Sequence, residues 1–137
     1  MSTQPMTDTD LLAETLGVSE VAEEAGVAAS AVRFYEQHGL VTAARTSGNQ
    51  RRFTADAGCR IRVARVAQRV GLTVREIVTI MESLPPDPTP ADWGKIAQTL
   101  VAEARARVDR LEATLADLGS GAKLCLLDPS DAENWQR

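Results

Sequence analysis

The chain has 137 residues, 44% of them hydrophobic and 25% charged, with two cysteines, one histidine and a net charge of −4. That length suits one compact domain with an appendage, and no apolar run approaches the ~18–20 residues of a membrane span. Two cysteines without paired spacing build no disulfide framework, and "MSTQPMTDTD" lacks the basic start and apolar centre of a secretory signal, so a cytoplasmic location with reduced thiols is expected.

The acidic balance hides a basic block. Residues 1–28 hold six acids and no lysine or arginine; residues 29–75 hold nine arginines against Glu36 and Asp56; residues 76–137 are acidic again. A solvated face would scatter both signs, whereas a block of one sign is the footprint of a polyanionic partner.

In chain order, residues 1–14 are expected to be a disordered tail. "GVSEVAEEAGVAASAVRFYEQHGL" then reads as two short helices. Ser19 is placed to cap the first, Glu20, Glu23 and Glu24 suit its positive end, and Gly26 suits the left-handed turn that ends it. Val18, Val21, Ala22 and Ala25 form its apolar stripe. The second helix runs from about Ala29 to His38, with Val32 and Tyr35 inward and Ser30, Arg33 and Gln37 on a polar face. Two short helices around a glycine turn make a helix-turn-helix. "LVTAARTSGNQRRFT" follows as a hairpin, with Leu40–Val41 and Arg52–Phe53 extended around "SGN". It presents Arg45, Asn49, Gln50, Arg51 and Arg52, as a wing reaching DNA phosphates or the minor groove would. Phe53 anchors the wing to the core.

"DAGCRIRVARVAQRV" reads as a helix burying Cys59, Val63, Val66 and Val70, with Cys59 a core residue and Arg60, Arg62, Arg65 and Arg69 pointing elsewhere. Thr73 caps a further helix that buries Val74, Ile77, Val78 and Met81. Residues 15–84 therefore form one domain and the proline-rich 85–90 a stiff linker. Thr89, Pro90 and Asp92 open a long helix, 91–118. Along it Trp93, Ile96, Leu100, Ala104, Val108, Leu111, Leu115 and Leu118 recur at a near-heptad spacing. At about 29 residues it spans roughly 43 Å, too long to lie against so small a domain. Its seam calls for a second copy.

"VSEVAEEAGVAASAVRFYEQHGLV", "RTSGNQRRF", a helix pair and a long helix resemble, in order, the MerR family of transcription regulators, over about residues 16–118. "SGNQRRF", "AQRVGL" and Trp93 resemble its SoxR-like members in particular. The resemblance implies a mainly α fold: a winged helix-turn-helix followed by a dimerisation helix in an antiparallel coiled coil. It implies a homodimer on palindromic, double-stranded promoter DNA with an overlong spacer, bent and untwisted on a signal so that RNA polymerase can engage it, the polymerase being contacted only through the DNA. Carried over by position, Ser30 and Arg33 face bases or phosphates, Tyr35 bonds phosphate, and Arg45, Asn49, Gln50, Arg51 and Arg52 hold the wing on the backbone. Ser19 and Phe34 join that DNA-binding set. Trp93, Ile96, Leu100, Val108, Leu111 and Leu115 carry dimerisation.

SoxR-like sensors hold a [2Fe–2S] cluster on four cysteines after the long helix. The corresponding segment, 119–137, has one, Cys125, so neither this cluster nor another cofactor is expected. One histidine, His38, makes no metal site, and the start of the long helix offers Asp92 but no thiol. The candidate effector or lid residues are Trp93, Leu124, Cys125, Leu127 and Trp135. They would pack without sensing, cover a small organic effector, or expose Cys125 to oxidation, although its leucine neighbours suggest burial. A signal-independent architectural or excisionase-like DNA binder is the alternative. No nucleophile–base pair or phosphate loop points to an enzyme.

Overall fold

A computed structural model describes residues 15–121 and 124–126. Among the described residues, five helices and one small sheet occur in the order α1 (Val18–Ala25), α2 (Ala29–Gln37), β1 (Ala43–Arg45), β2 (Arg51–Phe53), α3 (Ala57–Arg69), α4 (Val74–Met81) and α5 (Pro90–Gly119), followed by a 3-10 turn, Leu124–Leu126. The fold is mainly α, as the sequence led us to expect. Residues 1–14, Leu127 and Trp135 lie outside the described residues.

Local chemistry explains most helix ends. Gly26 closes α1 in the left-handed conformation, at φ 70°. Thr73 and Glu76 cap α4 reciprocally: the Glu76 N–H donates to Thr73 Oγ1 at 3.1 Å, and the Thr73 N–H donates to Glu76 Oε1 at 3.2 Å. Thr89 and Asp92 do the same for α5, with Pro90 in its first turn. The start of α1 departs from expectation. Gly17, not Ser19, occupies the cap position, and Ser19 is an exposed residue of the first turn. Three bonds fix this start two residues earlier. Leu16 exchanges backbone hydrogen bonds with Phe53 at 2.8 and 2.7 Å, and Glu20 reaches back to accept from the Gly17 N–H at 3.2 Å.

The core gathers Val21, Val32, Phe53, Ile61 and Ile77, all fully buried, around which α1–α4 and the sheet close. Phe53 does anchor the wing. The strand opposite it, however, is not Leu40–Val41. Those two residues are buried plugs beneath α2, tied by the Leu40 N–H to the Tyr35 carbonyl at 3.0 Å, and pairing begins later, with Ala43 opposite Phe53 and Arg45 opposite Arg51. Apolar burial there outcompetes extension of the ladder.

Helix α3 also turns the other way round its axis. It buries Ala57, Gly58, Ile61, Ala64 and Ala67, while Cys59, Val66 and Val70 are exposed. The cause is close approach to α1: a Cβ on Gly58 would lie 2.8 Å from Glu24 Cδ. Only the small-residue face fits so tight a crossing, so the valines and Cys59 are left for the opposite side.

Of α5, only Ile96 is buried, at 2% exposure, with Trp93 and Leu100 partly buried against the core. Val108, Leu111, Leu115 and Leu118 are all exposed, Leu115 at 65%. One end of this long helix is thus mortised into the domain, and its apolar seam continues uncovered.

Candidate nucleic-acid interface

Helix α2 is amphipathic in the way a reading helix must be. Val32 and Tyr35 hold it to the core, and Ser30, Arg33, Phe34 and Gln37 face solvent. Phe34 is braced by Tyr35, edge to face at 5.4 Å, and by His38 at 4.2 Å between ring centres. His38 itself bonds the Phe34 carbonyl through Nδ1 at 2.8 Å, a local structural role.

The wing stands beside α2 and is bonded to it. Arg51 Nε donates to Glu36 Oε1 of α2 at 2.7 Å. At the tip, Asn49 takes a positive φ of 63°, which asparagine tolerates better than most residues. Arg45 Nη1 donates to the Asn49 carbonyl and side-chain oxygens at 3.1 and 3.3 Å, and the Asn49 N–H closes the turn on the Thr46 carbonyl at 2.9 Å. Arg45, Asn49 and Gln50 are exposed. Asn49, Gln50 and Arg51 border a polar hollow whose other wall is the start of α1, Gly17 to Glu20. Free backbone N–H groups at a helix start favour an anion, but the Glu20 carboxylate shares this wall and already accepts the Gly17 N–H, while Arg51 is paired with Glu36. Ser19 is an exposed wall residue of this hollow rather than a cap.

Two expected DNA contacts have other partners in the protein itself. Arg52 is buried and turns inward: Nη2 donates to the Thr15 carbonyl at 2.7 Å, Nε to Thr15 Oγ1 at 3.1 Å, and Nη1 lies 4.0 Å from Glu20. It ties the chain preceding α1 to the wing. Tyr35, with its ring in the core, donates its hydroxyl to Gln68 Oε1 of α3 at 2.7 Å. Burial raises the phenol above its ordinary range, and Arg65 only partly offsets this, so the proton stays on. Gln68 was not singled out in the sequence. Nothing there marks it, since the bond depends on α2 and α3 crossing. Arg60 and Arg65 also have internal partners, Asp56 and the Gly26 carbonyl.

A second feature lies between α3 and α5. Cys59, Val63 and Val66 face Trp93, Ile96 and Leu100 across an apolar groove of about 500 Å³, with Glu24 and Arg62 beside it. The inverted α3 creates it. Beyond α5, Cys125 is exposed and Leu126 is 77% exposed, so the expected burial of this thiol among leucines is not found among the described residues.

A helix hairpin whose second member exposes a cationic, polar face beside a bonded two-stranded wing defines a winged helix-turn-helix protein. Residues 16–84 match the family described as MerR HTH family regulatory protein, and residues 59–120 match MerR, DNA binding. Over 99 residues, which are 71% of this chain and 67% of the other, the sequence is 37% identical to an HTH-type transcriptional activator SoxR homolog of Chromobacterium violaceum. The fold is similar to that of HiNmlR, described as a MerR family regulator lacking the sensor domain, in a crystal structure bound to promoter DNA. That similarity has a TM-score of 0.50 at 21% identity and covers 77% of this chain and 85% of that one. The chain belongs to the MerR family and is a DNA-binding transcriptional regulator of that type.

Proposed function

We propose that the protein acts as a homodimer that grips a palindromic promoter and bends and untwists it, without an iron–sulfur cluster. The observation that carries the dimer is the uncovered seam of α5: Val108, Leu111, Leu115 and Leu118 on one stripe, all exposed. Apolar stripes at this spacing bury themselves against a partner helix. An antiparallel copy related by a two-fold axis would place two α2 helices on two half-sites of one duplex face. Deforming the spacer between them costs a few kcal/mol, which phosphate clamps must supply. The candidates are Ser30 and Arg33 on α2, with Arg45, Asn49, Gln50 and Arg51 on the wing.

A [2Fe–2S] centre of the SoxR kind needs four thiolates. The chain has two cysteines, Cys59 on α3 and Cys125 after α5, so its donor set does not fit one. The signal is then of another kind. A small organic effector in the groove lined by Trp93 is one reading, which the groove's apolar lining favours. Oxidation of Cys125 is the second, which its exposure favours.

In vitro transcription from target promoters with the spacer shortened one base pair at a time tests the untwisting. Stimulation confined to the overlong spacer is the expected outcome. Equal occupancy with no stimulation at any spacer would favour a signal-independent architectural protein. An iron–sulfur absorption band in anaerobically purified protein would overturn the reading of the tail.

A further inference from the structure

Helix α5 meets its own domain at two places. The first is apolar: Ile96, with Trp93 and Leu100 beside it. The second is a single charged side chain, Arg107, two turns further on. Seven residues separate it from Leu100, about 10 Å along the axis. Its side chain is only 15% exposed, on a stretch of helix otherwise mostly open to solvent. Its stem runs past the α3–α4 turn, where a Cβ on Gly71 would sit 3.5 Å from Arg107 Cδ. One guanidinium nitrogen, Nη2, donates to Glu76 Oε2, and the other, Nη1, to Glu103 Oε2 at 3.3 Å.

Glu76 has two tasks. Oε1 accepts the Thr73 N–H and so completes the cap of α4, while Oε2 takes Arg107. One carboxylate thereby joins the α3–α4 corner to the long helix. Charge-assisted bonds of this kind are directional, whereas the Ile96 contact alone would let α5 pivot. From Ile96 the helix continues for twenty-two residues to Leu118, an arm of about 33 Å. A tilt of about 5° about that contact moves the end of such an arm by about 3 Å, close to the ~3.4 Å rise of one base pair.

We propose that Glu76 and Arg107 are positioning residues that set the angle of α5 against the DNA-binding domain, and through it the separation of the two α2 helices and the half-site spacing the dimer accepts. The proposal rests on the dimer reading above.

The test is a pulsed electron paramagnetic resonance distance between spin labels at Gln37→Cys on the two copies of α2, in full-length protein carrying Cys59→Ser and Cys125→Ser. Glu76→Gln removes the charge but keeps the cap, because glutamine serves in a capping box. Arg107→Met removes the charge and keeps the stem. Both should shift the distance by 3 Å or more or at least double the width of its distribution, with Arg107→Lys in between. An unchanged distribution in Glu76→Gln and Arg107→Met overturns the clamp. If Arg107→Met fails to fold, Glu76→Gln and Arg107→Lys decide alone. Absence of any dipolar signal in the labelled protein with Glu76 and Arg107 intact means that no dimer forms, which overturns the reading on which the clamp depends.

Discussion

Arg51 and Arg52 are neighbours in a motif that looks uniformly made for DNA, and the structure separates them. Arg52→Met would remove two hydrogen bonds from a charged donor to Thr15, at 2.7 and 3.1 Å, from a buried position. Such bonds are worth about 1.5–3 kcal/mol each. Thr15 is only half-buried, so water can replace part of what is lost, and about 2–3 kcal/mol in total is expected. A chain of this length loses about 3.5 °C of melting temperature per kcal/mol, so the midpoint should fall by about 7–10 °C. Arg51→Ala breaks a partly exposed pair with Glu36, worth about 1 kcal/mol or less. Its loss should appear in DNA binding. One phosphate contact per subunit lowers the slope of log affinity against log salt by about 0.9, or about 1.8 for a dimer. Thermal melts followed by circular dichroism, and fluorescence anisotropy on a mixed-sequence duplex across a salt series, measure both quantities. If Arg52→Met melts within about 2 °C of the parent and flattens the salt slope as much as Arg51→Ala does, the inward Arg52 is wrong and the motif is uniform after all.

Two further outcomes are expected. Leu115→Asp puts a carboxylate on the open seam at a residue 65% exposed in the single chain, so the domain should keep its melting profile while sedimentation changes from dimer to monomer; a persistent dimer would count against the seam. Burial pushes the Glu76 carboxyl up, but the Arg107 and Thr73 hydrogen bonds outweigh it and hold the group below its ordinary value. A depressed carboxyl contributes stability above its unfolded pKa and loses it as pH falls through the folded one. The gap in melting temperature between the parent and Glu76→Gln should therefore be flat at neutral pH and close only as the pH drops below about 4.5; a gap that persists in acid would remove the charge from the explanation.

Most helix limits, the returning arm of the wing, the basic block and the long seamed helix are legible in the sequence alone. Thr73 with Glu76, Thr89 with Asp92, Pro90 and Gly26 act within four residues of themselves, and the backbone groups they satisfy are their own neighbours. The uncovered part of the α5 seam was legible for the same reason, since helical periodicity is local. Tertiary structure decided the rest. Which side of α3 is buried depended on Glu24 crossing above Gly58, so Cys59 and the valines, apolar enough for a core, came to line a groove instead. Leu40 and Val41 had strand propensity but were taken by the core beneath α2. Serine gave way to glycine at the start of α1 because Leu16 is held by Phe53, far along the chain. Arginine is the extreme case: its long, flexible side chain carries the same charge everywhere, and its role is set by what lies within reach. Arg51 reaches Glu36 at the wing's edge, Arg52 reaches Thr15 inside it, and Arg107 reaches across to Glu76. Charge and composition are written residue by residue, but a partner exists only once the chain has brought two distant segments together.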